Sequence, residues 1–215
     1  LKRDFIDQNI EFNNLNLISA HKKLNFGKNS VFPVSLTHSV PDTVGYVLNT
    51  EDGAIVYTGN FVFDSSMTGP YQTDIGKLAY IGKQGVLCLL SESEYADRVG
   101  YTAPQNRVSK DVRDVFLHND GRIIITLLTN HISRLQELFT EVSKTHRKII
   151  VMGKKMQNLV NYVIDEGYVT FDKDKIGNLS NIEDKDSVIL ISNENERPLM
   201  NLERIVNGYD KYVKI

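Results

Sequence analysis

The chain has 215 residues, with 25 Lys and Arg against 27 Asp and Glu, for a formal net charge of −2 at pH 7. That length can bury one large core or two modest ones, and the near-neutral balance gives no global attraction to nucleic acid, so any such contact must come from a local basic patch. Hydrophobic residues make up 41% and charged residues 24%, and the absence of a long apolar run excludes a membrane-spanning helix.

Residues 1–30 show little periodicity and allow a short helix or an edge strand. Leu1-Lys2-Arg3-Asp4-Phe5 carries charge with no apolar core behind it, so no secretory signal is expected there. From Val31 the β-branched content rises, giving a strand over Val31 to Leu36. Val44 to Thr50, Glu51-Asp52-Gly53 and Ala54 to Thr58 then read as a strand, a glycine turn and a strand. A hairpin of this kind places His38, before its first arm, and Asn60, after its second, on the same side. Asp74 to Ile81 suits a short helix with Thr73 or Asp74 near its start and Gly82 at its end. Gly85 to Leu90 reads as a buried strand that carries Cys88, the single cysteine of the chain. Disulfides within the chain are therefore excluded, a reducing compartment is implied, and a buried structural thiol is expected. The strand delivers Ser91-Glu92-Ser93-Glu94 to its C-terminal end, where open α/β sheets place their chemistry.

Tyr101 to Gln105 is turn-prone and reads as a crossing between domains. Helix and strand then alternate: helix Ser109 to His118, strand Arg122 to Leu128, helix Asn130 to Thr145, strand Lys148 to Met152, helix Met156 to Asp165, strand Ser187 to Ser192 and helix Asn201 to Val206. Strands separated by helices in this rhythm imply a parallel sheet. All five histidines, at 21, 38, 118, 131 and 146, stand alone, with no pair at metal-ligand spacing.

Thr37-His38-Ser39-Val40-Pro41-Asp42 and Thr58-Gly59-Asn60-Phe61-Val62-Phe63-Asp64 resemble two motifs of the metallo-β-lactamase nucleases, and most closely of the ribonuclease J family. There the first reads about T-H-S-I-P-D and carries a histidine metal ligand, and the second reads T-G-D-F-K-F-D, its first aspartate bridging two metal ions. Gly121 to Ile125, Ser133 to Gln136 and Arg147-Lys148 are further family-like runs. The resemblance implies an α/β fold: part of a metallo-β-lactamase αββα sandwich over residues 1–104, followed by a β-CASP parallel α/β domain over 105–215. It also implies Zn2+ or Mn2+ as cofactor, RNA as substrate and a cytoplasmic setting. The family's H-x-H-x-D-H motif lies outside these residues and the chain opens on Leu1, so a piece of a longer protein is expected.

Three positions depart from the family pattern. His38 is kept as a metal ligand, but the bridging acid is Asn60, and a neutral amide cannot offset the repulsion between two cations as a carboxylate does. Where the family has about S-N-I-H-R, this chain has Asn130-His131-Ile132-Ser133-Arg134. Asn130, His131 and Ser133 are candidate RNA-phosphate contacts at a helix start, and a capping or surface role for His131 is the alternative. The glycine loop T-G-S-Q-G-E-P-M is replaced by Ser192 to Met200, which has no glycine and carries Glu194 and Glu196; such a loop repels a polyanion. Glu92 stands where the family has an acid that supports the metal site, and a solvated acidic loop is the alternative. The resemblance therefore implies a catalytically weak or inactive paralogue. It would scaffold RNA processing and mRNA decay in a hetero-oligomer with an active ribonuclease J, or as a homodimer. An active metal-dependent 5′-to-3′ exoribonuclease or endoribonuclease is the alternative.

Overall fold

The computed structural model describes residues 8–11, 14, 16–94, 96–128, 130–181, 184–193 and 199–213. The chain divides into two compact units. The first is built from residues 1–35, 44–59 and 74–92, the second from 36–43, 60–73 and 93–215.

The first unit is a five-stranded sheet in chain order: β1 (Leu24–Phe26), β2 (Asn29–Ser35), β3 (Val44–Thr50), β4 (Gly53–Gly59) and β5 (Val86–Ser91). The first three pairings are antiparallel, and β5 joins β4 in parallel. Strands β2, β4 and β5 therefore run the same way, and the loops that follow them leave from one end of the sheet. Val34, Val47 and Val56 are buried on one face, where Leu78 and Ile81 of α1 (Ile75–Gln84) pack against them. Two turns depend on glycine: Gly53 has φ +139° in the β3–β4 turn, and Gly85 has φ +96° after α1. A side chain is strained in both conformations.

Of the two residues expected near the start of α1 the cap is Asp74, which accepts a hydrogen bond from the Lys77 amide at 2.8 Å. The helix does not end at Gly82, however. Gly82 keeps a negative φ and is absorbed into the helix, which stops at Gly85, where the backbone turns into the positive-φ region. Strand β5 forms where an apolar run predicts it, but all six of its residues are exposed, Cys88 among them, so neither the buried strand nor the buried thiol is found. An apolar run signals a strand but not what covers it. Among the described residues this one is the last strand of its sheet, and both of its faces are left open.

The second unit holds a parallel sheet of order β6-β8-β7, from β6 (Ile123–Leu128), β7 (Lys148–Met152) and β8 (Ser187–Asn193). Its helices are α2 (Gln105–His118), α3 (Ile132–Ser143), α4 (Lys154–Asp165) and α5 (Met200–Val206). The period-two alternation of a strand explains the layering. Val188 and Leu190 face a core shared with α2, α3 and α4, whereas Ile189 and Ile191 face the other side with Ile205 of α5. The central strand is thus covered on both faces, which is why it reads as one continuous apolar run. Phe139 of α3 is fully buried and stacks on Phe171 at 4.1 Å between ring centroids.

Helix α2 starts at Gln105, four residues before the expected Ser109, because Pro104 supplies the extended residue before the first turn. Arg147, 4% exposed, donates to the carbonyl oxygens of Gly121 at 2.7 Å, Lys185 at 2.6 Å and Asn119. It fastens the segments that lead into β6 and β8, so its place in the family-like Arg147-Lys148 run is structural.

Candidate functional site

The site is built on the loop after β2, within the second unit. Thr37 is 1% exposed and interlocks with Thr73. Its amide donates to Thr73 Oγ1 at 2.7 Å, the Thr73 amide donates back to Thr37 Oγ1 at 3.1 Å, and the two hydroxyls lie 2.9 Å apart. The Thr37 carbonyl accepts from the Val62 amide at 2.9 Å. One hydrogen bond therefore joins the segment ending in His38 to the one that follows Asn60, and this is how two motifs distant in sequence become neighbours. The next carbonyl but one, on Ser39, accepts from the Ser133 amide at 3.2 Å and holds the first turn of α3 against the His38 loop.

Thr37, His38, Ser39, Asp64, His131, Ser133 and Arg134 line one cavity of about 130 Å³. His131 stands at the N-cap of α3 and its carbonyl accepts from Leu135, while its ring makes no capping bond. Burial lowers its pKa below the usual histidine value, helped by the Arg134 guanidinium and His38, so the uncharged ring is favoured. Beside it, Arg134 donates to Glu137 Oε2 at 3.0 Å and Gln105 donates to the same oxygen at 3.0 Å. Asp64 closes this network. Its Oδ1 accepts from the Ser66 amide at 2.9 Å and the Ser66 hydroxyl at 2.6 Å, and its Oδ2 accepts from the Gln105 amide at 2.6 Å. Burial pushes the Asp64 pKa up, but these hydrogen bonds and Arg134 outweigh it and the net shift is downward.

The cavity brings together three of the expected residues, His38, His131 and Ser133. Asn130 turns to a neighbouring cavity, and Asn60 is exposed and lines neither. Glu92 belongs to the first unit, where its amide donates to Thr58 Oγ1 at 3.2 Å beside the end of β4. The glycine-free loop falls on residues 194–198, which lie outside the described residues. Sequence reasoning missed Asp64, Gln105 and Arg134 as site residues. Asp64 and Arg134 stood inside recognised motifs, at the close of Thr58 to Asp64 and directly after Ser133, whereas Gln105 carried no signal.

The described residues do not by themselves fit a metal centre. Among the described residues no three His, Cys, Asp or Glu side chains are placed to hold an ion. Both Asp64 oxygens are taken by donors, and Arg134 adds a positive charge to the cavity. Beside the Asp64 carboxylate, whose oxygens are held by their own donors, the cavity offers groups that suit an anion: two imidazoles, the hydroxyls of Ser39 and Ser133, and the Arg134 guanidinium, itself paired with Glu137.

The family model described as the ribonuclease J β-CASP domain matches residues 120–215. Ribonuclease J 2 of Streptococcus pyogenes serotype M3 is 32% identical over 213 residues, covering 95% of this chain and 38% of that protein. Ribonuclease J 2 of Staphylococcus aureus strain NCTC 8325 is 32% identical over 194 residues, covering 89% of this chain and 34% of its own length. The chain thus spans little more than a third of the curated relatives it matches. A crystal structure of a protein of unknown function from Enterococcus faecalis V583 superposes with a TM-score of 0.60 over 95% of this chain and 55% of that one; at 15% identity it speaks for the fold alone. The α/β architecture, the parallel sheet at the position of the β-CASP match and the identity carried along most of the sequence lead to one conclusion: the chain belongs to the ribonuclease J family.

Proposed function

We propose that this protein is a catalytically weakened ribonuclease J subunit that works in RNA processing and mRNA decay beside an active paralogue. In this reading residues 1–104 are a partial metallo-β-lactamase domain and 105–215 the β-CASP domain; the family match over 120–215 supports the second assignment. His131 and Ser133, with Arg134, receive an RNA phosphate, and the hetero-oligomer, or a homodimer in its place, is cytoplasmic.

The observation that carries the reading is Asn60. The family's chemistry is metal-dependent, and in a two-metal site both ions clamp the attacking and leaving oxygens. The position that should bridge them holds a neutral amide on an exposed loop end, while the neighbouring cavity keeps cationic and hydrogen-bonding groups suited to phosphate. His38 remains available as a lone ligand, so binding of Zn2+ or Mn2+ is weak rather than precluded.

The test is the metal content of the full-length protein, measured by elemental analysis beside Asn60→Asp, with hydrolysis of a 5′-monophosphorylated RNA followed in parallel. The expected result is less than two metals per chain in the wild type, little hydrolysis, and a gain in both on restoring the acid. Two metals per chain with family-like hydrolysis in the unmodified protein would replace this reading with that of an active exoribonuclease or endoribonuclease.

A further inference from the structure

We propose that a second cavity of the second unit, of about 500 Å³, binds one base of an RNA whose phosphate lies against His131, and that Tyr162 and Tyr168 hold that base by stacking. The inference rests on the RNA-handling reading and adds a base-reading subsite to it. The two cavities share a wall. Along residues 38–42, His38 and Ser39 line the smaller cavity while Val40 and Asp42 line the larger. At the start of α3, His131 and Ser133 serve the smaller, and Asn130 and Ile132 the larger. The two cavities are thus lined by neighbouring residues of the same two segments.

The larger cavity has the make-up of a site for a flat heterocycle. Ile132 and Val163 are buried at its base, whereas Tyr162 and Tyr168 are 42% and 47% exposed, with their rings free to be covered. Its volume falls in the range of small-ligand pockets. Single-stranded RNA is recognised by stacking splayed bases on aromatic rings and hydrogen-bonding their edges. Asn130 and Asp42 supply those donors and acceptors, and Lys155, which makes no ion pair among the described residues, supplies a cation at the start of α4. Asp42 is held at φ +55°, an unusual conformation for a residue with a side chain, and its amide is pinned to the Pro70 carbonyl at 2.8 Å. An apolar segment of a partner protein would leave Asn130, Asp42 and Lys155 unmatched, which favours the base.

The experiment uses the full-length protein and a fluorescently labelled, 5′-monophosphorylated eight-nucleotide RNA, with copies that carry an abasic residue at each position in turn. Tyr162→Ala and Tyr168→Ala should each weaken binding of the intact RNA about tenfold. They should cause no further loss on the one copy that lacks the stacked base. Tyr162→Phe and Tyr168→Phe should bind as the wild type, which separates stacking from damage to the fold. Alanine variants that bind the intact RNA normally overturn the subsite, and so does an equal loss on every abasic copy. Unchanged RNA affinity with lost capture of the paralogue assigns the cavity to a protein partner and also overturns it. A wild-type protein that binds none of the RNAs overturns the RNA-handling reading itself, whereas unchanged binding by the variants removes the subsite alone.

Discussion

Asp64→Asn tests whether the candidate site is held by its carboxylate. The substitution keeps the shape and one acceptor oxygen, so the two bonds from Ser66 to Oδ1 survive in weaker, neutral form. The other oxygen becomes an NH2 group that meets the Gln105 amide donor head-on, where the wild type has a 2.6 Å hydrogen bond. Loss of a hydrogen bond to a charged acceptor costs about 1.5–3 kcal/mol, and weakening the remaining two adds about 0.5 kcal/mol each. Partial exposure reduces the total to about 2–3 kcal/mol, or a fall in Tm of about 4–12 °C for a chain of this size. The pH dependence gives an independent check. The folded Asp64 pKa is lowered, so its contribution is complete above the unfolded carboxylate value of about 3.9 and is lost as the pH falls through the folded value. Urea unfolding of both proteins at pH 7, 5, 4 and 3 should show a gap that is constant at the first two and narrows toward the last. A variant that matches the wild type at pH 7, or a gap that stays the same down to pH 3, would refute the reasoning.

Lys175 donates to the carbonyls of Val142 at 3.3 Å, Ser143 at 3.2 Å and Thr145 at 2.6 Å at the end of α3. Lys175→Met should cost about 1.5–3 kcal/mol in thermal unfolding, and a loss below about 0.5 kcal/mol would show that water replaces these bonds. Thr37→Val leaves the buried Thr73 amide without its acceptor and should cost about 1–3 kcal/mol. The same variant should weaken RNA binding through the displaced His38 loop, and unchanged affinity would mean that the clasp does not position the loop. His131 has a lowered pKa in the folded state, so its contribution is complete above the ordinary histidine value and is lost as the pH falls through the folded one. His131→Gln should flatten that part of the stability profile below about pH 6.5, and a wild-type profile already flat there would count against the burial of this ring.

Much of this protein is legible in its sequence because the signals are local. The apolar runs Ile149 to Met152 and Val188 to Ile191, the Asp74 cap and the glycine turn at Gly53 each report on a few bonded neighbours, and the structure has strands, a helix start and a turn there. Motif matches likewise singled out His38, His131 and Ser133, but that these three line one cavity while Asn60 and Asn130 do not is a result of packing. Tertiary structure alone decided what depends on partners distant in the chain. Cys88 and its strand are exposed, and what covers the faces of a strand is a matter of packing that no apolar run encodes. Gln105 joins Asp64 and Arg134 because the start of α2 is folded against two motif ends, 41 and 29 residues away. Periodicity fixes what a segment is, since backbone geometry repeats over a few residues; which side chains meet is fixed only when the segments pack.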